Sequence, residues 1–356
     1  MRWDDGAREP VLHLSCARVP PLSETGHHVG PVRRVVARVD WFVVSLLLAV
    51  VVASFFPVRG QAAEGLEVAV VVAVGWLFFL YGVRLPTKEA VDALRDWRLH
   101  GSVLAVTFIV FPLLGLAVQL VPSSVVPHDL KLGLLFLTLL PSTVQSSIAF
   151  TSIARGNVAG AVVAASFSNL AGVVLTPLLV AGLLGGAVGF SVDSIGTIGL
   201  QLLAPFVAGQ LLRRWIAPWV LAHKRLTTLT DRGSVLLVVY SAFSHGVVDG
   251  IWTTVDVGSI VAVVVLCCVV LAVVLIFTSV LGKKLGFSRA DRVVLLMCGS
   301  KKSLASGVPM ATVLLPAASV GIMVLPLMIF HQIQLIVCAV IARRMGDAAE
   351  PEPART

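Results

Sequence analysis

Apolar residues dominate this chain in long stretches that recur from residue 41 to residue 341, separated by short polar loops. The stretches cover residues 41–56, 66–83, 99–121, 130–153, 158–184, 195–212, 235–248, 257–281, 290–315 and 320–341. At ~1.5 Å of rise per residue, most can cross ~30 Å of hydrocarbon as a helix. The pattern predicts an all-α polytopic membrane protein of about ten transmembrane helices. Residues 1–37, broken by Pro10, Pro20, Pro21 and Pro31, predict a disordered cytoplasmic extension, and residues 346–356, with Pro351 and Pro353, a disordered cytoplasmic tail. Between them lies one transmembrane domain, residues 38–345.

The positive charges order the stretches. Cytoplasmic loops concentrate Lys and Arg, because translocating them is unfavourable. Starting inside, alternate segments hold Arg33, Arg34 and Arg38, then Arg84, Lys88, Arg95 and Arg98, then Arg155, then Arg213, Arg214, Lys224, Arg225 and Arg232, then Lys283, Lys284, Arg289 and Arg292, then Arg343 and Arg344. The opposite loops hold only Arg59 and Lys131. Both termini are therefore expected in the cytoplasm of a bacterial cell, with the helices in its inner membrane. Ten helices divide into repeats of five, residues 38–185 and about 193–342, and an odd number per repeat inverts the second relative to the first.

Composition agrees with this and removes other classes. Of 356 residues, 57% are hydrophobic and 13% charged, far from the roughly 25% charge of a soluble domain. The net charge of +8 is dispersed over loops, so it forms no continuous face for nucleic acid. The partners implied are a lipid bilayer and a small solute; oligomeric state is not legible. Cys16, Cys267, Cys268, Cys298 and Cys338 are odd in number, without a C-x-x-C pair, and imply neither a disulfide framework nor a metal site. No nucleotide-binding or common hydrolase motif occurs, and no enzyme activity or cofactor is expected.

Inverted-repeat carriers place their site where a helix is interrupted in each half, since free amides and carbonyls are then available at depth. In the fourth helix Pro141 precedes Ser142, Thr143, Gln145, Ser146 and Ser147. In the ninth, Gly299, Ser300, Lys301, Lys302, Ser303, Ser306, Gly307 and Pro309 fall together. Pro141, Gly299, Gly307 and Pro309 are the expected helix breaks, and the polar side chains are candidate ligands for substrate or ion. Gln145 stands about fifteen residues from one end of its helix and Lys302 about twelve from the start of its own, which puts both near the midplane.

A lysine at that depth costs ~2.5 to 3.5 kcal/mol on insertion scales. Either both lysines snorkel towards the interface on their long stems, or one or both line a hydrated cavity. Adjacent helical residues point ~100° apart, so a shared escape route requires a broken helix. No Asp or Glu lies within the middle of an apolar stretch. Any charge at depth is thus positive, which favours an anionic substrate. Ser166, Ser168 and Asn169 in the fifth helix, and His331, Gln332 and Gln334 in the tenth, are further candidates for solute contact or for interhelical hydrogen bonds.

The stretches FPLLG (residues 111–115), ARGN (154–157), GSKKSLASG (299–307) and LPLMIFHQIQL (325–335) resemble the bile acid:sodium symporter family, in a bacterial branch akin to solute carrier family 10 member 7. The resemblance spans roughly residues 39–344. It implies a panel domain and a core domain, with the fourth and ninth helices discontinuous and crossing. Sodium is the coupling ion of that family, but its ligands do not carry over cleanly. Sodium-coupled members use Glu and Gln on the ninth helix where this chain has Ser300 and Leu304. On the fourth helix they use Ser-Asn where it has Ser146 and Ser147, and their hydroxyl ligands on the fifth fall on Ala161 and Ala165. The function expected is secondary transport of an organic anion by alternating access; the alternative is a regulatory membrane protein of carrier fold that affects ion homeostasis without transport of its own.

Overall fold

The computed structural model describes residues 41–84, 96–188, 192–248, 250 and 255–349. The expected extension at 1–37, the basic residues Lys88 and Arg95, the loop residues Asp249 and Thr254, and residues 350–356 of the tail expected from 346 lie outside this set; Gly346 and Asp347 close the last helix. Among the described residues all regular structure is helical. In chain order the helices are α1 (Trp41–Phe55), α2 (Gln61–Arg84), α3 (Trp97–Val118), α4 (His128–Thr138), α5 (Gln145–Ile153), α6 (Val158–Leu183), α7 (Gly185–Val188), α8 (Val192–Ala222), α9 (Lys224–Val248), α10 (Val257–Lys284), α11 (Arg289–Gly299), α12 (Leu304–Leu314) and α13 (Ala317–Asp347).

Five of these, α2, α3, α6, α10 and α13, are long and apolar enough to cross a membrane. Away from the helix ends their exposed side chains are mostly apolar, as on α10 at Val261, Val265, Val269 and Ile276. That inverts the rule for soluble helices and fits a lipid solvent. Helix starts carry the expected caps: Asn157 Oδ1 accepts from the Gly160 amide, Ser288 Oγ from Asp291, and Asp256 from Ser259. The bonds from Ser259 hold the Asp256 carboxyl below the usual carboxylate range.

α8 packs on α2, α9 packs on α1 and α2 and also on α12 and α13, and α3 to α6 pack with α10 to α13. α8 and α9 are joined through His223 alone and run past the apolar stretches that announced them, α8 beyond Leu212 and α9 from Lys224 rather than Val235. Their polar ends are tied down locally: Arg84 of α2 forms an ion pair with Asp231 of α9. Near the chain end, the Arg289 guanidinium donates to the carbonyls of Ala154, Arg155 and Met345, fastening the ends of α5 and α13 to the start of α11.

Candidate functional site

Two helices are interrupted, and the interruptions meet. The first lies between α4 and α5 at residues 139–144, where Pro141 lacks an N–H and disfavours helical geometry at Leu140. The Pro141 ring seats against Gly172 of α6, where an added Cβ would stand 2.7 Å from it. The carbonyls that the break releases find other donors: Thr176 Oγ1 donates to Leu139 O at 2.8 Å. The Ser142 amide, without a helical acceptor, donates to Ser168 Oγ at 3.1 Å.

The second interruption lies at residues 300–303, between α11 and α12. Ser300 Oγ donates back to Leu296 O, and Ser303 caps α12 by accepting from the Ser306 amide. Here the expectation is corrected: Gly307 and Pro309 do not break the helix but lie inside α12. Pro309 withdraws the N–H that would bond Ala305 O, and that carbonyl instead accepts from the Tyr81 hydroxyl at 3.4 Å. Gly307 leaves room for the side chains of Leu140 and Leu327, which a Cβ there would strike.

Between the two interruptions, the Ser303 amide donates to Pro141 O at 2.9 Å, Ser142 Oγ to Cys298 O at 2.6 Å and Ser147 Oγ to Met297 O at 3.1 Å. Lys301 Nζ donates to Ser146 O at 2.9 Å and stands 4.0 Å from the centre of the Phe150 ring. Neither lysine snorkels, and neither lines an open cavity: both are fully buried.

Lys302 is held more completely than its neighbour. Its ammonium donates to Thr107 O at 2.9 Å, to Thr138 O at 2.7 Å and to Leu140 O at 2.7 Å, beneath the Phe111 ring at 4.1 Å. A lysine ammonium carries three N–H groups, one for each of these acceptors. Thr138 and Leu140 lose their helical partners to the break. Thr107 loses its own to a π-turn in α3 at Val106–Val110, since the Phe111 amide bonds Val106 O and the next residue, Pro112, has no N–H. Gln334 of α13 clamps the backbone of Lys302, accepting from its amide and donating to its carbonyl, each at 2.8 Å. Neither ammonium has a carboxylate partner among the described residues.

The other candidates separate. Thr143 Oγ1 lies 2.7 Å from Ser146 Oγ and 3.2 Å from Ser147 Oγ, so three hydroxyls form a chain at the start of α5. Gln145 beside them is exposed. Ser306 Oγ is buried without a hydrogen-bond partner. Gln334 Nε2 also reaches His331 Nδ1 at 2.9 Å, while Gln332, Ser166 and Asn169 are half-buried and stand outside the network. Thr107, Thr138, Phe111, Phe150 and Thr176 belong to the site and were missed; a hydroxyl or aromatic side chain in an apolar stretch carries no distinguishing signal. The one local clue was Phe111-Pro112, a proline inside a helix that must free carbonyls behind it.

A bundle of lipid-facing helices with two interrupted elements bonded to each other defines a multi-pass membrane protein of transporter type. Residues 40–347 match the SBF-like CPA transporter family, and the chain belongs to it. An uncharacterised protein of Pseudomonas aeruginosa is 53% identical over 316 residues, 87% of this chain and 95% of that one. The Escherichia coli protein YfeH is 48% identical over 313 residues, 87% of this chain and 94% of its own. The sodium/bile acid cotransporter 7-B of Xenopus laevis is 28% identical over 316 residues, covering 85% of this chain and 91% of the relative. With such bacterial relatives, the membrane is a bacterial inner membrane.

Proposed function

We propose that this chain is a secondary carrier for a small organic anion, working by alternating access. α1, α2, α8 and α9 form the panel, and α3 to α6 with α10 to α13 form the core. The two interrupted elements are the fourth and ninth spans of two inverted five-helix repeats, both termini cytoplasmic. The observation that carries the substrate class is the pair of buried ammonium groups without carboxylate partners at the crossing. An uncompensated positive charge in low dielectric attracts an anion far more strongly than it would in water. Bile acids, in the name of the Xenopus laevis relative, are organic anions of this kind. The half-buried Ser146 hydroxyl and the exposed Gln145 amide supply donors for the anion's oxygens.

Sodium is not required on this reading. The carbonyls of Thr138, Leu139, Leu140, Pro141, Met297 and Cys298, which could surround a cation at the crossing, already accept hydrogen bonds from the protein. The test is solute counterflow in proteoliposomes across a panel of carboxylates and sulfonates, in sodium and in choline buffers. The expected result is saturable counterflow of one anion class at equal rates in both, reduced at least tenfold in Lys301→Met. No counterflow of any solute would favour a regulatory protein of carrier fold, and strong sodium dependence would overturn the coupling assignment.

A further inference from the structure

We propose that the carbonyls of Thr107, Thr138 and Leu140, roofed by the Phe111 ring, form a binding site for a monovalent cation of the primary-ammonium class, which this chain fills with its own Lys302 side chain. It rests on the geometry of the crossing and not on the solute, so a failed counterflow assay leaves it standing.

Three features make this a site rather than a chance contact. The acceptors come from three places where the backbone has been released, the π-turn of α3, the end of α4 and the unwound segment after it, and they converge on one atom at 2.7 to 2.9 Å. They are neutral dipoles, and the described residues hold no carboxylate against them, so the site suits a single charge rather than a divalent ion, which demands anionic ligands. The aromatic face favours a weakly hydrated cation over a tightly hydrated one. Independently of the ammonium, Gln334 fixes the Lys302 backbone by two hydrogen bonds, so removing the side chain leaves the position of the chain defined.

Lys302→Ala keeps Cβ and deletes the atoms from Cγ to Nζ, and the deleted fragment has the shape of n-propylammonium. The experiment is thermal unfolding of purified wild type and Lys302→Ala in chloride salts of n-propylammonium, methylammonium, potassium, sodium and choline at equal ionic strength. The wild type should melt at one temperature in all five. Lys302→Ala should melt lowest in choline, which is too large for the site. It should recover most in n-propylammonium, by about 2 °C or more for each tenfold rise in concentration above the dissociation constant. Lys302→Met fills the stem without a charge, so it should melt below wild type and respond to no salt. Equal melting of Lys302→Ala in every salt overturns the proposal, as does wild-type stability of Lys302→Met. Should Lys302→Ala fail to accumulate, Lys302→Met decides: a lowered, salt-independent melting temperature supports the site, and unchanged melting overturns it.

Discussion

Gln334 earns its burial by completing the backbone of Lys302, which the break leaves without helical partners on both its amide and its carbonyl. A buried backbone group left unpaired costs about 1 to 3 kcal/mol, and Gln334→Leu would orphan two at once. That variant should lose about 2 to 5 kcal/mol, read as a fall in melting temperature of the purified protein. Gln332, two positions away and half-buried outside the network, is the control: Gln332→Leu should stay within about 0.5 kcal/mol of wild type. Equal losses in the two would remove the clamp from the account. From sequence alone Gln332, Gln334 and His331 carried the same weight. What separates them is which helical face meets the break, and a polar residue in an apolar stretch does not announce its partner.

Among the elements, the interruptions were legible and their mechanisms were not. Pro141 followed by hydroxyl side chains, and two lysines between serines, stand out against apolar surroundings whatever the packing. The role of Pro309 could not be read, because a hydroxyl from α2 answers the carbonyl that this proline abandons. The π-turn of α3 was equally hidden, since its product is a free backbone carbonyl and no side chain records it. Close helix packing was hidden too: α2 and α8 approach until Gly82 faces the Phe206 carbonyl and Gly209 faces that of Phe79. A Cβ at Gly82 would meet backbone, which cannot rotate aside, so Gly82→Ala should cost about 1 to 3 kcal/mol through overpacking. Gly75, on the same helix with open space around it, should gain or hold stability as Gly75→Ala, since alanine is the better helix former. Comparable melting temperatures for the two variants would show that α2 and α8 are not in contact as described.

At the scale of the whole molecule, the proposed repeat makes a claim about sidedness that no single helix can carry. If each half has five spans with the fourth interrupted, the segment between α8 and α9 lies on the side opposite to the segment between α9 and α10. The first is rich in cations, with Arg213, Arg214, Lys224, Arg225 and Arg232 around His223; the stretch from residue 249 to residue 256 has no Lys or Arg. Retaining positive charge in the cytoplasm is what fixes orientation during insertion. The extra helix at the polar ends of α8 and α9 does not alter this, because a helical corner outside the bilayer needs no lipid to be stable when an ion pair such as Arg84 with Asp231 fastens it. Fusing an alkaline phosphatase or fluorescent reporter after Lys224 should therefore give fluorescence and no phosphatase activity, and fusing it after Thr254 should give the reverse. The opposite pattern at both sites would turn the molecule over and place the basic loops outside, while the same pattern at both would remove α9 as a span. Either result would dismantle the inverted repeat and, with it, the equivalence of the two interruptions on which the carrier reading depends.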